Sequence, residues 1–272
     1  MANIEAYKMD GLGNDFLIID RRKKFIDLSK EKIVSLGKRD NFGFDQVIFI
    51  DKESNNITPI VIFNSDGKEV EACGNGARCI AYILANEKKT KNVCLKTTER
   101  ILKTEIVGNL SVKINMGKPI FDWRKIPLSQ DINNKKINIE IDNNKLIDGF
   151  ALNIGNPHVV FFIEDFLKYD LKKIGPKIEN HRLFPERCNV TLAKIEDKKN
   201  ISVNVWERGA GLTKACGTAA CATVVASYLK GLTENTVNIK FNEGILNLEL
   251  DKNQNIFMTG PVSEIQNIKI EV

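Results

Sequence analysis

Histidine is nearly missing from this 272-residue chain, which carries only His158 and His181. That scarcity argues against a metal centre built on imidazole. The cysteine pairs do not supply one either: Cys73/Cys79 and Cys216/Cys221 are separated by five and four residues, whereas structural zinc sites usually place two to four between paired cysteines. Long apolar runs are also lacking. The longest nearly uninterrupted one, Ala219 to Leu229, falls well short of the roughly 20 residues a bilayer span needs, and it reads as a buried helix instead. Met1 to Asp10 have no apolar core of the kind a signal peptide carries. No membrane association is expected, and the expected location is the cytoplasm, where the six cysteines stay reduced. The densest basic cluster, Arg21-Arg22-Lys23-Lys24, has no interleaved aromatics and no single-face stripe, so it reads as a solvated loop and not as a nucleic-acid surface. No lysine motif of the pyridoxal type is evident.

What remains is an ordinary globular composition, 43% hydrophobic and 28% charged, with one unusual feature. Cys73 lies in Glu71-Ala72-Cys73-Gly74-Asn75-Gly76-Ala77-Arg78-Cys79, and Cys216 lies in Lys214-Ala215-Cys216-Gly217-Thr218-Ala219-Ala220-Cys221. The two are 143 residues apart, and each motif leads into an apolar helical run. The same interval recurs between Gln46-Val47 and Asn189-Val190 and between Asn64 and Glu207, and Gly13-Asn14 precedes Gly155-Asn156 by 142. Four landmarks in register indicate one half written twice.

The halves pattern alike. Candidate strands in the first are Ile4–Met9, Phe16–Asp20, Gln46–Asp51, Ile57–Phe63, Asn92–Thr97, Ile101–Val107 and Leu110–Met116. Those in the second are Phe150–Ile154, Val159–Ile163, Val190–Ile195, Ser202–Trp206, Val237–Phe241, Ile245–Leu250 and Asn255–Thr259. Two strong helices are expected, from about Gly74 to Asn86 and from about Gly217 to Lys230, the latter stopped by Gly231. Weaker amphipathic segments, Ser29–Arg39 and Phe166–Asn180, are expected to pack outside. One helix enclosed by strands in each half predicts an α+β fold of two pseudo-symmetric, barrel-like domains. The polar stretch Gln130 to Lys145 marks the boundary, giving residues 1–140 and 141–272, with the C-terminal strands free to return to the first domain.

A cysteine just ahead of a helix faces the unpaired first-turn amides and the positive end of the helix dipole, a position that lowers thiol pKa. The same amides bind anions such as a carboxylate, and Gly74 and Gly217 allow close backbone approach. If the halves face each other, two thiols meet across one pocket. That suits inversion of a carbon bearing H, NH3+ and COO−, which needs proton removal on one face and delivery on the other. Cys79, Cys94, Cys188 and Cys221 lack the duplicated context and read as small core hydrophobes.

Asn14, Gln46, Asn64, Asn156 and Asn189 are carboxamides at repeat positions, able to read both ends of an amino acid or to serve as turn and cap residues. Arg208 offers a fork for a second carboxylate, or a surface ion pair. His158 and Glu207 are candidates for adjusting the thiols' protonation, with a purely structural role as the alternative.

With these residues assembled, the chain resembles the diaminopimelate epimerase family. The matching stretches are Gly11-Leu12-Gly13-Asn14-Asp15-Phe16, Asp45-Gln46-Val47, Phe63-Asn64-Ser65-Asp66-Gly67, Ala72 to Cys79, Gly155-Asn156-Pro157-His158-Val159-Val160, Asn189-Val190, and Trp206 to Gly211 through Ala215-Cys216-Gly217-Thr218. The resemblance implies cofactor-independent interconversion of LL- and meso-diaminopimelate for lysine and peptidoglycan synthesis, by a homodimer of two pseudo-symmetric domains. It makes Cys73 and Cys216 the acid/base thiols and His158 and Glu207 their assistants. It places Gly74, Asn75, Gly217 and Thr218 at the carboxylate, and Asn14, Asn64, Asn156, Asn189 and Arg208 at the distal amino-acid end with Gln46 nearby. Asp10, where a His often stands, and Thr191, where an acidic residue is common, depart from the pattern. The rival within the same architecture is a proline or hydroxyproline racemase-type enzyme, whose small ring leaves Arg208 and the asparagines nothing to clamp. A non-enzymatic redox or zinc module is the rival of another class.

Overall fold

The computed structural model describes residues 3–70, 73–98, 100–141 and 144–271. Glu71 and Ala72 of the first cysteine motif, and Asp142 and Asn143 of the polar stretch, lie outside the described residues. The chain divides into two compact units, Met1–Asn115 with Thr259–Val272, and Met116–Met258.

The first unit holds β1 (Asn3–Gly11), β2 (Asn14–Asp20), α1 (Lys30–Gly37), β3 (Gln46–Ile50), β4 (Ile57–Asn64), the short β5 (Glu69–Val70), α2 (Gly74–Lys88), β6 (Asn92–Lys96) and β7 (Ile101–Gly108). The chain passes into the second unit along β8 (Ser111–Gly117). There follow β9 (Ile137–Ile141), β10 (Asn144–Asn153), β11 (Pro157–Phe162), α3 (Leu171–Glu179), β12 (Asn189–Asp197), β13 (Asn200–Glu207), the short β14 (Gly211–Thr213), α4 (Gly217–Leu229), β15 (Thr236–Phe241) and β16 (Gly244–Leu250). It returns along β17 (Ile256–Pro261) to β18 (Gln266–Glu271), which pairs antiparallel with β1.

The fold is α+β and built of two repeated halves. β2 and β3 run parallel with Phe16 opposite Gln46, as β11 and β12 do with His158 opposite Asn189. Val47 faces Phe63 across β3 and β4, and 143 positions on Val190 faces Trp206 across β12 and β13. The match extends to β4–β6 and β13–β15, both parallel, and to the following antiparallel pairs. Because side chains alternate between the faces of a strand, equal register puts equivalent residues on equivalent faces. In the first unit α2 packs against β1, β2, β6 and β7, and in the second α4 packs against β10, β11, β12, β15 and β16. Ala219 to Ser227 are all buried, which explains why α4 is apolar nearly all round.

Three features differ from the expectation above. The division falls at 115/116, not 140/141, because Ile126, Leu128, Ile137 and Ile139 pack into the core formed by Phe161, Val190 and Leu192. The polar stretch is partly strand: in β9 the isoleucines 137, 139 and 141 turn inward while Asn138 and Glu140 face water. The segment Phe166–Asn180 is a 3-10 turn at Phe166–Lys168 and a separate helix, α3, started by the Asp170 cap. Among the described residues no helix is long and apolar enough to cross a membrane.

Candidate functional site

Two site halves exist, one in each unit. In the first, Cys73 is the N-cap of α2, extended at φ −140°, ψ 113°, and the Gly76 amide donates to its Sγ at 3.4 Å. Cys216 caps α4 with φ −141°, ψ 114°. The duplicated motif thus gives the duplicated geometry: sulfur at the opening of a helix, over first-turn amides. All six cysteines are free. Cys79, Cys188 and Cys221 are fully buried and Cys94 half-buried.

Two carboxamide pairs lie in the same unit as Cys73. The Leu12-Gly13 hairpin has φ of 56° and 76°, the left-handed pair a two-residue loop requires, and it delivers Asn14 at the start of β2. The Asn75 amide donates to Asn14 Oδ1 at 2.9 Å, while Asn75 Oδ1 accepts from the buried Arg78 at 2.9 Å. Alongside, Gln46 Nε2 donates to Asn64 Oδ1 at 2.9 Å, leaving Gln46 Oε1 buried and unpartnered. Asn14, Gln46, Asn64, Gly74 and Asn75 therefore share one unit with Cys73. The departure Asp10 has its backbone tied to Ser263, and its carbonyl accepts from the Cys79 thiol at 3.6 Å.

The second half is built on α4 and the inner face of β11–β13. Cys216 Sγ lies 3.4 Å from Thr218 Oγ1, with Gly217 between them. Burial pushes the Cys216 thiol well above its ordinary value, and the negative charge of Glu207 adds to this. This corrects the helix-end expectation of a lowered thiol pKa. The Thr218 hydroxyl and the Ala219 amide do act downward, but desolvation is the larger effect. Burial likewise raises the Glu207 carboxyl, while its contact with Cys216 pulls it down. The two groups form a close acid pair.

His158 is fully buried, with Nε2 2.9 Å from Asn156 Oδ1 and Nδ1 unpartnered. The amide oxygen can only accept, so Nε2 carries the proton and Nδ1 presents a lone pair. Burial, aided by the Arg208 guanidinium, lowers the His158 pKa to about 3. A neutral native imidazole that charges when unfolded stabilises the fold above its unfolded pKa of about 6.5 and loses that contribution as pH falls toward 3. Stability should therefore drop by about 1.4 kcal/mol per pH unit below 6.5 from this group alone. Glu207, with its raised pKa, acts in the opposite sense, so the contribution is read as a difference. Urea titrations at pH 7 and pH 5.5 should show a smaller loss for His158→Gln than for the wild type, and equal losses would refute the assignment.

Asn189 is buried and committed: its Nδ2 donates to Pro157 O at 2.8 Å and its Oδ1 accepts from the Arg208 amide at 3.0 Å. It shapes the Arg208 backbone through a contact the sequence does not reveal. The Arg208 guanidinium uses one N–H on Glu186 O at 3.3 Å. Thr191, the other departure, is buried with an unpartnered hydroxyl two residues along β12. Sequence reasoning missed Glu179, a buried carboxylate beneath the Trp206–Gly209 turn. No group of three or more His, Cys, Asp or Glu suited to a metal occurs among the described residues.

The chain is similar to known proteins in sequence and in fold. The pattern of the family described as "Diaminopimelate epimerase" matches residues 6–121 and 150–265, one stretch in each half. The chain is 50% identical to the diaminopimelate epimerase of Pelagibacter ubique over 99% of its own length and 100% of that protein. Among solved structures it shares the fold of a predicted epimerase from Pseudomonas aeruginosa, with TM-score 0.68 and 13% identity, covering 99% of both chains. It also shares the fold of a hydroxyproline epimerase from Agrobacterium vitis, with TM-score 0.65 and 11% identity, covering 99% of this chain and 93% of that one.

Proposed function

The chain belongs to the diaminopimelate epimerase family, a family of isomerases, and from that premise we propose that it interconverts LL- and meso-2,6-diaminopimelate with Cys73 and Cys216 as the two bases. The observation that carries the reading is the pair of matching cysteine N-caps, whose backbone angles agree within a degree. In the proposed reaction one sulfur, as thiolate, takes the α-proton. The Cα–H electron pair is left on a carbanion that the carboxylate stabilises, and the other thiol gives its proton to the opposite face. Each turnover exchanges the protonation states of the two sulfurs and consumes nothing. The first-turn amides at Gly74-Asn75 and Gly217-Thr218 favour the charge that builds on the carboxylate. Glu207, in contact with Cys216, is placed to adjust the protonation of that thiol.

The runner-up is a proline or hydroxyproline racemase-type activity, supported by the shared fold. Against it stands Arg208, suited to a second amino-acid end that a proline ring lacks. Purified enzyme with a chelator present and no cofactor added should convert LL- to meso-diaminopimelate and leave L-proline and hydroxyproline unchanged. Turnover of proline without turnover of diaminopimelate would overturn the assignment.

A further inference from the structure

α3 carries Gly175 and Glu179 four residues apart, and so on one helix face. That face lies on Trp206. A Cβ at Gly175 would come within 2.6 Å of the indole ring, so only glycine lets the helix sit this close. One turn on, Glu179 Oε2 accepts from the indole Nε1 at 2.7 Å, and Glu179 Oε1 accepts from the Gly209 amide at 2.8 Å. Arg187 Nη1 adds a longer contact at 3.4 Å from a mostly exposed side chain. A single buried carboxylate thus ties the residues two before and one after Arg208. Asn189 holds the Arg208 amide between these ties.

The repeat makes the arrangement informative. At the corresponding places the first unit has Gly37, 142 positions before Glu179, and Ser65, 143 before Arg208. Gly37 rests against Ser65, and the first unit contains no tryptophan. The carboxylate–indole tie therefore occurs in only one half, and it accompanies the arginine and not the duplicated cysteines. We propose that Glu179 is a positioning residue that sets the substrate specificity of this half by fixing the Trp206–Gly209 turn, and with it the Arg208 fork that grips the distal carboxylate. This rests on the diaminopimelate reading above. Both carboxylate oxygens receive donors, so glutamine cannot replace it: its NH2 would confront either the indole N–H or the Gly209 N–H.

The test measures KM and kcat for LL-diaminopimelate, with melting temperature, in wild type, Glu179→Gln and Trp206→Phe. KM should rise about tenfold in E179Q while kcat stays within about threefold, because binding made equally in ground and transition states is lost. W206F, which removes one donor and leaves the carboxylate, should raise KM less, and it carries the test if E179Q does not fold. A lower melting temperature with unmoved KM would reduce Glu179 to a structural role and overturn the inference alone. A wild type inactive toward diaminopimelate would overturn the functional reading itself.

Discussion

Cys73→Ser and Cys216→Ser should each lower kcat for diaminopimelate on the order of 10²–10⁴-fold, in both directions of the reaction. A serine hydroxyl keeps the size and donor capacity of the thiol but ionises far too reluctantly to exchange roles near neutrality. The folds should survive. Cys73 is only half-buried, and Ser is among the preferred N-cap residues for a helix such as α2. Cys216 is nearly buried, yet Thr218 Oγ1 at 3.4 Å gives a serine hydroxyl a partner. Each variant retains one thiol, so it should still exchange the α-hydrogen of one stereoisomer with solvent without inverting it. Ordinary inversion rates in either variant, measured by coupled assay or chiral separation, would remove that cysteine from the mechanism.

Arg208→Ala should reduce kcat/KM for diaminopimelate by roughly 30- to 1,000-fold, corresponding to about 2–4 kcal/mol for a desolvated charge pair broken on one side. The guanidinium spends one N–H on Glu186 O and the backbone amide is held by Asn189, so the fork is braced at its base. The distal contact is made alike in ground and transition states, so most of the loss should fall on KM and not on kcat. Arg208→Lys should recover only a fraction, since an ammonium keeps the charge but loses the bidentate geometry. A kinetic profile unchanged in R208A would place the distal carboxylate elsewhere and reopen the small-ring alternative.

The parts of this molecule that repeat were legible in the sequence, because a repeat carries its own internal control. Ala-Cys-Gly ahead of an apolar run predicts a capped helix, and α2 and α4 begin where expected, at Gly74 and Gly217. Less visible were elements whose stability comes from distant partners. β18 offers Ile268 and Ile270 among polar residues, a weak alternation that becomes a strand by pairing with β1 some 260 positions away. β9 alternates clearly, but it lies in an asparagine- and lysine-rich stretch that reads as a boundary. Glu179 was hidden for a different reason. A glutamate near the end of an amphipathic helix normally faces water, and only the Trp206 indole and the turn after it account for its burial. The upward push on the Cys216 thiol is not legible in the sequence because a helix terminus is written in local sequence, whereas desolvation depends on everything packed around the sulfur.

In the proposed reaction two sulfurs serve one stereocentre from opposite faces, and the fate of the migrating hydrogen tests this most directly. Wild-type enzyme in D2O, given LL-diaminopimelate and followed by mass spectrometry at early conversion, should place one deuterium at the inverted carbon of every meso product. The substrate's own α-hydrogen should be absent from that position. Product that keeps the original hydrogen would mean a single group carries it across the carbon, and that result would contradict the two-thiol account.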